Sequence, residues 1–366
     1  MGADGPSGIL PAQNIRGLAA EGGILSARAF DTDQIQPASL DLRLGPVAYR
    51  VRASFLPGPR ATVADRLASL TLHQIDLTAG ALLEPGRSGG VYIVPLEESL
   101  ALPADVAAAT NPKSSTGRLD VFTRVIADRV REFDTIPAGY HGPLYAEISP
   151  RTFPVIVRAG SRLSQIRFRI GHPLVDDRAL AALHRQTPLV DGELALGNGL
   201  MLSVDLSGRS GIVGYRAKRH TGLVDVDRRG GLDALDFWDP ITTHGRRELV
   251  LDPDQFYILA SREAVTVPPD YAAEMVPFDP LVGEFRVHYA GFFDPGFGHS
   301  EAGGAGSRAV LEVRSHEIPF ILEHGQSVGR LVYERMLARP AFLYGTDIGS
   351  HYQAQGLKLS KHFRAG

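Results

Sequence analysis

The sequence predicts a mainly β protein of two tandem barrel or sandwich domains, produced by an internal duplication, with few short helices. Three observations carry this. The chain has 366 residues, more than one ordinary domain. Its 40 glycines and 25 prolines favour short strands joined by tight turns. It also repeats itself. YIVPLEESLALPADVAAA from Tyr92 aligns without gaps on YILASREAVTVPPDYAAE from Tyr257, an offset of 257 − 92 = 165. LYAEISPRTFPVIVRAGSRLSQIRF from Leu144 returns as VLEVRSHEIPFILEHGQSVGRLVY from Val310, with Glu147 set on Glu312. SLDLRLGPVAYRVRA from Ser39 resembles SVDLSGRSGIVGYRAK from Ser203.

In chain order, Val91 to Leu96, Val121 to Ile126, Pro154 to Arg158 and Leu163 to Ile170 are short, β-branched or aromatic, and bounded by Gly or Pro, so each is expected as a strand. Helices are expected at Ile15 to Ala20, at Asp105 to Ala109 with its copy Asp270 to Glu274, and at Asp177 to Gln186. The polar stretch from Thr187 to Gly199 then reads as a linker. This gives domains over 1–190 and 191–366.

Charge and composition exclude several functions. Lys and Arg number 38 against 41 Asp and Glu, a net of 38 − 41 = −3. Bulk charge therefore argues for neither long nucleic acid nor an anionic membrane as partner, and any bound polyanion must be small. Without cysteine there is no disulfide, thiolate nucleophile or Cys-ligated metal, which excludes the zinc-dependent nucleobase deaminases. No apolar run of about 18 residues exists, and Met1 to Asn14 has no secretory pattern. Gly2 is followed by Pro6 where myristoylation wants Ser or Thr. The expectation is a soluble, cytoplasmic protein.

None of the 12 histidines forms a helical metal pair, and no HExxH occurs, so no protein-bound zinc is expected. Gly325-Gln-Ser327-Val-Gly329 matches the nucleophile-elbow pattern but precedes a strand-like run, which argues against that serine as a nucleophile. Rossmann and P-loop glycine motifs are absent. The densest chemistry is NPKSSTGRLDVFTRVIADR, Asn111 to Arg129, where Lys113, Ser114, Ser115 and Arg118 offer charge and hydroxyls and Gly117 permits close backbone approach to an anion. Alone, such a turn on a protein surface is more often only a solvated loop. Glu147 lies in an alternating strand beside Tyr145, and a carboxylate there is either functional or satisfied by a nearby Arg.

IQPASLDLRLG (Ile35 to Gly45), KSSTGR (Lys113 to Arg118), VIADR (Val125 to Arg129) and LYAEIS (Leu144 to Ser149) resemble successive signatures of the dCTP deaminases, which have the dUTPase-like trimeric β fold. VPPDYAAEM, HYAGFFDPGFG and VLEV extend the resemblance, more loosely, into the second half, as in the two-domain form of the family. The resemblance implies a hydrolase acting on C–N bonds of cyclic amidines that converts dCTP to dUTP and ammonia. The alternatives are a bifunctional deaminase and dUTPase, a plain dUTPase, or an inactive nucleotide-binding regulator.

Carried over by residue, the resemblance makes Glu147 the general base of a metal-free hydrolysis. Ser114, Arg118 and the Ala127 carbonyl would hold the water. Lys113, Ser114, Ser115 and Arg118 would contact the triphosphate, with Mg2+ as its counter-ion, and Arg129 and Gln165 complete the set. Tyr145 and Ala146 would read the base through the main chain. The tail YGTDIGSHYQAQG, from Tyr344, resembles the segment that folds over the nucleotide, with Tyr344, His351 and Gln355 at the contact positions. The partners implied are dCTP, dTTP as an inhibitor, and two further copies of the chain. In that homotrimer a ring of first halves stacks on a ring of second halves.

There are departures. The Asp-Pro-Gly that contacts deoxyribose in the family reads Pro137-Ala-Gly139 here, with Asp134 as a candidate replacement. The second half keeps Ala290, Asp294, Pro295, Gly296 and Glu312, but its phosphate signature has become Pro277-Phe-Asp-Pro280. The working site is therefore expected in the first half.

Overall fold

The computed structural model describes residues 5–85, 90–208, 211–242, 245–277, 285–288, 291–315, 318–345 and 356–364. The chain is mainly β with few short helices. In the first half one sheet runs Thr71–Asp76, Val47–Val51, Val91–Ala101, His141–Pro150, Val121–Ala127. In the second half a sheet runs Trp238–Ile241, Gly214–Ala217, Phe256–Val265, Ser307–Ser315, Phe285–His288, in the same pairing order. The other sheets correspond too: Leu40–Arg43, Arg162–Ile170, Val106–Pro112, Thr135–Ile136 against Leu200–Ser203, Ser327–Arg335, Tyr271–Pro277, Phe292–Phe293. Register is equally matched. Glu147 pairs with Ile93 and Arg124, and Glu312 with Ile258 and His288.

The four expected strands form. The helices expected at Asp105–Ala109 and Asp270–Glu274 do not: these residues lie in strands Val106–Pro112 and Tyr271–Pro277, where Ala109 pairs with Arg167 and Tyr271 with Arg335. Their alanines favour helix locally, but pairing with a long antiparallel neighbour overrides that weak preference. Helices do form at Ala12–Ala20 and Asp177–Gln186, the latter capped by Asp176, which accepts from Ala179 N at 2.7 Å. An unexpected helix, Val63–Leu70, opens on a reciprocal cap in which Asp65 N donates to Thr62 Oγ1 and Thr62 N to Asp65 Oδ2. Ser327 begins a strand as an exposed residue.

Each half has its own core, and a third core joins them. Val175, Leu180, Leu189 and Val190 pack in the second core. The joining core sets Leu44, Val94, Ile148 and Phe153 against Trp238, Phe256, Ile258 and Phe363. Phe153 meets Trp238 edge-on at 5.3 Å, a geometry worth roughly 0.5–1.5 kcal/mol beyond the area it buries. The two halves thus lie side by side on a shared apolar seam.

Candidate active site

A cavity of about 510 Å³ opens at this seam, a volume within the range of small-molecule sites. Its walls come from both halves: Lys113, Ser114, Ser115, Arg118 and Gln165 from the first, Gly291, Asp294, Glu312 and Tyr344 from the second.

The first wall is built by a strand that stops abruptly. Val106–Pro112 ends in proline, Lys113 N donates to Leu163 O at 2.9 Å, and the chain turns through the short helix Ser114–Gly117. Arg118 N then donates to Ser114 O at 3.1 Å. This tight turn presents Lys113, both serines and Arg118 to one space. Lys113 is ion-paired with Asp41, whose Oδ1 is buried and has no partner among the described residues. Arg162 approaches the same carboxylate at 3.6 Å.

The second wall is the strand Ser307–Ser315 and the turn after Phe292–Phe293. Phe293 pairs with Ala273 as Ile136 pairs with Ala108, so Asp294-Pro295-Gly296 occupies the place of Pro137-Ala-Gly139. Asp294 is held by Arg167 of the first half at 3.3 Å, and burial raises its carboxyl above the ordinary range. At Gly296, φ is +95° and a Cβ would lie 2.9 Å from the Leu343 side chain, so glycine lets the segment carrying Tyr344 cross here. Tyr344 N donates to Pro295 O at 2.9 Å, and its ring lies 5.9 Å from that of Phe297.

Glu312 is 5% exposed, and its Oε1 lies 3.9 Å from Arg118 Nε across the seam. Burial pushes its carboxyl well above the usual carboxylate range, with Arg118 opposing and Asp120 adding to the rise.

The structure does not bring Glu147 to this cavity. Glu147 is buried within the first half, and its Oε1 accepts from Arg124 Nε at 3.2 Å and from Nη2 at 2.5 Å. Only Oε1 is paired in this way, and Oε2 is buried with no hydrogen-bond partner among the described residues. Ala127, Tyr145 and Ala146 are buried in the same sheet, Arg129 is exposed, and none of them lines the cavity. Asp134 is also internal: it accepts from Thr110 Oγ1 at 2.7 Å and Val125 N at 2.8 Å, and burial pushes it up to about 6. His351, Gln355, Asp279 and Ala290 lie outside the described residues.

The sequence reading assigned the cavity's second-half carboxylates no catalytic part, yet it contained the signal. The first half has the cationic turn but Pro137 in place of the aspartate, while the second keeps Asp294 and Glu312 but has lost the cationic turn. Two halves whose site residues complement each other make one site if they face each other. Arg229 and Lys361, also in the lining, carried no comparable sequence signal, whereas Asp41 lies within the Ile35 to Gly45 signature.

The fold and cavity define a mainly β protein whose two halves share one polar site suited to a small anionic ligand. Residues 6–172 match the N-terminal domain, and residues 176–363 the C-terminal domain, of 2'-deoxycytidine 5'-triphosphate deaminase. A crystal structure of 2'-deoxycytidine 5'-triphosphate deaminase from Agrobacterium tumefaciens is 64% identical, with a TM-score of 0.87 over 91% of this chain and 100% of that one. A dCTP deaminase of Halorubrum lacusprofundi is 30% identical over 163 residues, covering 44% of this chain and 76% of its own. A dUMP-forming dCTP deaminase of Methanothermobacter thermautotrophicus is 28% identical over 203 residues, covering 52% and 98%. The chain belongs to the dCTP deaminase family.

Proposed function

We propose that the shared cavity deaminates dCTP hydrolytically to dUTP and ammonia, with Glu312, not Glu147, as the group that moves protons. The observation carrying this reading is the meeting of Glu312 with Arg118 and Ser114 in one cavity built from both halves. Water adds to C4 of the cytosine while Glu312 takes its proton. The carboxylic acid gives that proton to the ring nitrogen; Glu312 then takes the proton of the new C4 hydroxyl and passes it to the amine, so that the C–N bond breaks, the C4 carbonyl forms, ammonia leaves and Glu312 is again ionised. A buried carboxylate with a raised pKa serves both directions, since proton exchange is most efficient when the group's pKa lies near the working pH. Arg118 supplies charge beside the developing tetrahedral centre, and Ser114 a short hydroxyl donor.

The remaining lining fits the rest of the nucleotide. Asp294, Phe297 and Tyr344 suit the sugar and base, and Lys113 with both serines suits the phosphates. Among the described residues no group of three or more His, Cys, Asp or Glu side chains converges to hold a metal. Mg2+ accordingly enters the reading as part of the substrate, carried on the phosphate oxygens. Inhibition by dTTP follows if the same phosphate contacts hold it. We also read the two halves as copies of one dUTPase-like unit, supported by their matched strand order and register. A homotrimer stays a proposal about assembly alone, since both walls of the cavity come from one chain.

Assay of dCTP turnover for ammonia and pyrophosphate tests the reaction. Ammonia with dUTP is the expected result. The names of the dUMP-forming relatives favour a second reading, in which pyrophosphate appears in equal amount with dUMP. Turnover of neither kind would remove both.

A further inference from the structure

The reaction as proposed leaves part of the cavity lining without a role. Lys361 enters the cavity from the C-terminal segment 356–364, which crosses back onto the first half. That segment is pinned on both sides of Lys361. Ser360 Oγ donates to Ser115 O at 2.8 Å, and Arg118 Nη1 donates to Lys358 O at 3.1 Å, so the segment rests on the turn that carries the first wall. Gly230 N donates to Lys361 O at 3.0 Å, His362 Nε2 lies 2.9 Å from Val226 O, and the Phe363 ring lies 5.3 Å from that of Phe237. The lysine is thus delivered by a docked backbone and not by a trailing end.

Lys113 and Arg229 line the same cavity from two other elements. Three cations therefore come together from the first-half turn, the second-half loop and the C-terminal segment. The acidic groups facing Lys361 are Asp41, ion-paired with Lys113, and Asp227, ion-paired with Arg158. Burial and, after it, repulsion from Lys113 and Arg229 lower the Lys361 ammonium to about 8. Holding like charges together with one of them buried is unfavourable, and a polyanion among them reverses the sign of that interaction.

Resting on the reading of this cavity as the dCTP site, we propose that Lys361, with Arg229, grips the outer phosphates of the nucleotide, so that the C-terminal segment selects the triphosphate. A shorter phosphate chain, held by the Lys113 turn, would engage these groups less.

The test is steady-state deamination of dCTP and dCDP by the full chain as wild type, Lys361→Met and Lys361→Arg, with KM for dCTP also followed from pH 7 to 9.5. The expected result for Lys361→Met is a KM for dCTP raised about tenfold, with a smaller change in kcat and a reduced preference for dCTP over dCDP. Lys361→Arg should keep the preference. In the wild type KM should climb as pH passes about 8 and the ammonium is lost, whereas in Lys361→Arg it should stay level, because the guanidinium remains charged. Unchanged KM and unchanged preference in Lys361→Met would overturn the proposal. A Met variant that fails to fold leaves the pH comparison of wild type with Lys361→Arg to decide, and parallel profiles there would overturn it too. Wild-type chain that releases no ammonia from dCTP would instead overturn the underlying reading of the site.

Discussion

Arg118 and Glu312 face each other at 3.9 Å although 194 positions separate them (312 − 118). Two residues further along each segment, Asp120 is ion-paired with Arg314 and also accepts from Thr152 Oγ1 at 2.5 Å. Both pairs cross the seam. The second is therefore a clamp that fixes the register of the first, and the charge of Asp120 also adds to the rise of the Glu312 carboxyl.

The clamp gives the first prediction. Asp120 is 1% exposed and has φ of 56°, a conformation that Asn tolerates better than Ala. Asp120→Ala should destabilise the chain by roughly 3 kcal/mol, because it leaves the guanidinium of Arg314 without its carboxylate partner at the seam. Asp120→Asn should cost less, and both should lower kcat by letting Arg118 and Glu312 drift. Denaturant unfolding and turnover, measured together, check this; full stability in Asp120→Ala would remove the clamp.

The second prediction concerns Glu147, whose Arg124 partner also stacks on the Phe133 ring at 3.5 Å. Glu147→Gln keeps an oxygen for the guanidinium and should cost about 1 kcal/mol, whereas Glu147→Ala strips it and should cost roughly 2–3 kcal/mol. Arg124 is 26% exposed on its side chain, and solvent softens the loss. Equal stability of the two variants in urea would contradict a structural role for the pair.

The third prediction is a pH dependence. Glu312 ionises at a higher pH in the folded chain than in the unfolded one, so between those values the native state binds the extra proton. Stability contributed by this group is complete below the unfolded value, near 4.5, and is lost as pH rises through the folded value. Glu312→Gln, which never ionises, should therefore match the wild-type melting temperature near pH 4 and exceed it by a growing margin toward pH 8. Scanning calorimetry across that range decides, and a margin that shrinks with pH would show the shift to be reversed.

Much of this molecule was legible in its sequence, and the reasons for the misses are physical. The strand at Leu163–Ile170 and the helix at Asp177–Gln186 follow from local pattern, which sequence states directly. The strand Val106–Pro112 was misread because its alanines speak for helix while its long-range partner decides otherwise. At the site, the cationic turn from Lys113 to Arg118 was readable as a compact cluster. The carboxylate facing it was not, because two equivalent positions, 147 and 312, carry Glu, and only the packing of the halves determines which one meets Arg118. The presence of Arg124 beside one of them is likewise a matter of strand register.

The most direct test compares kcat for dCTP deamination in Glu312→Gln and Glu147→Gln. Gln is nearly isosteric with Glu but cannot accept the water proton, so loss of the proton shuttle should lower kcat by about 10²-fold or more in one variant only. The shared-cavity account predicts that loss in Glu312→Gln, with Glu147→Gln within about threefold of wild type. The opposite result, an inactive Glu147→Gln beside an active Glu312→Gln, would contradict it.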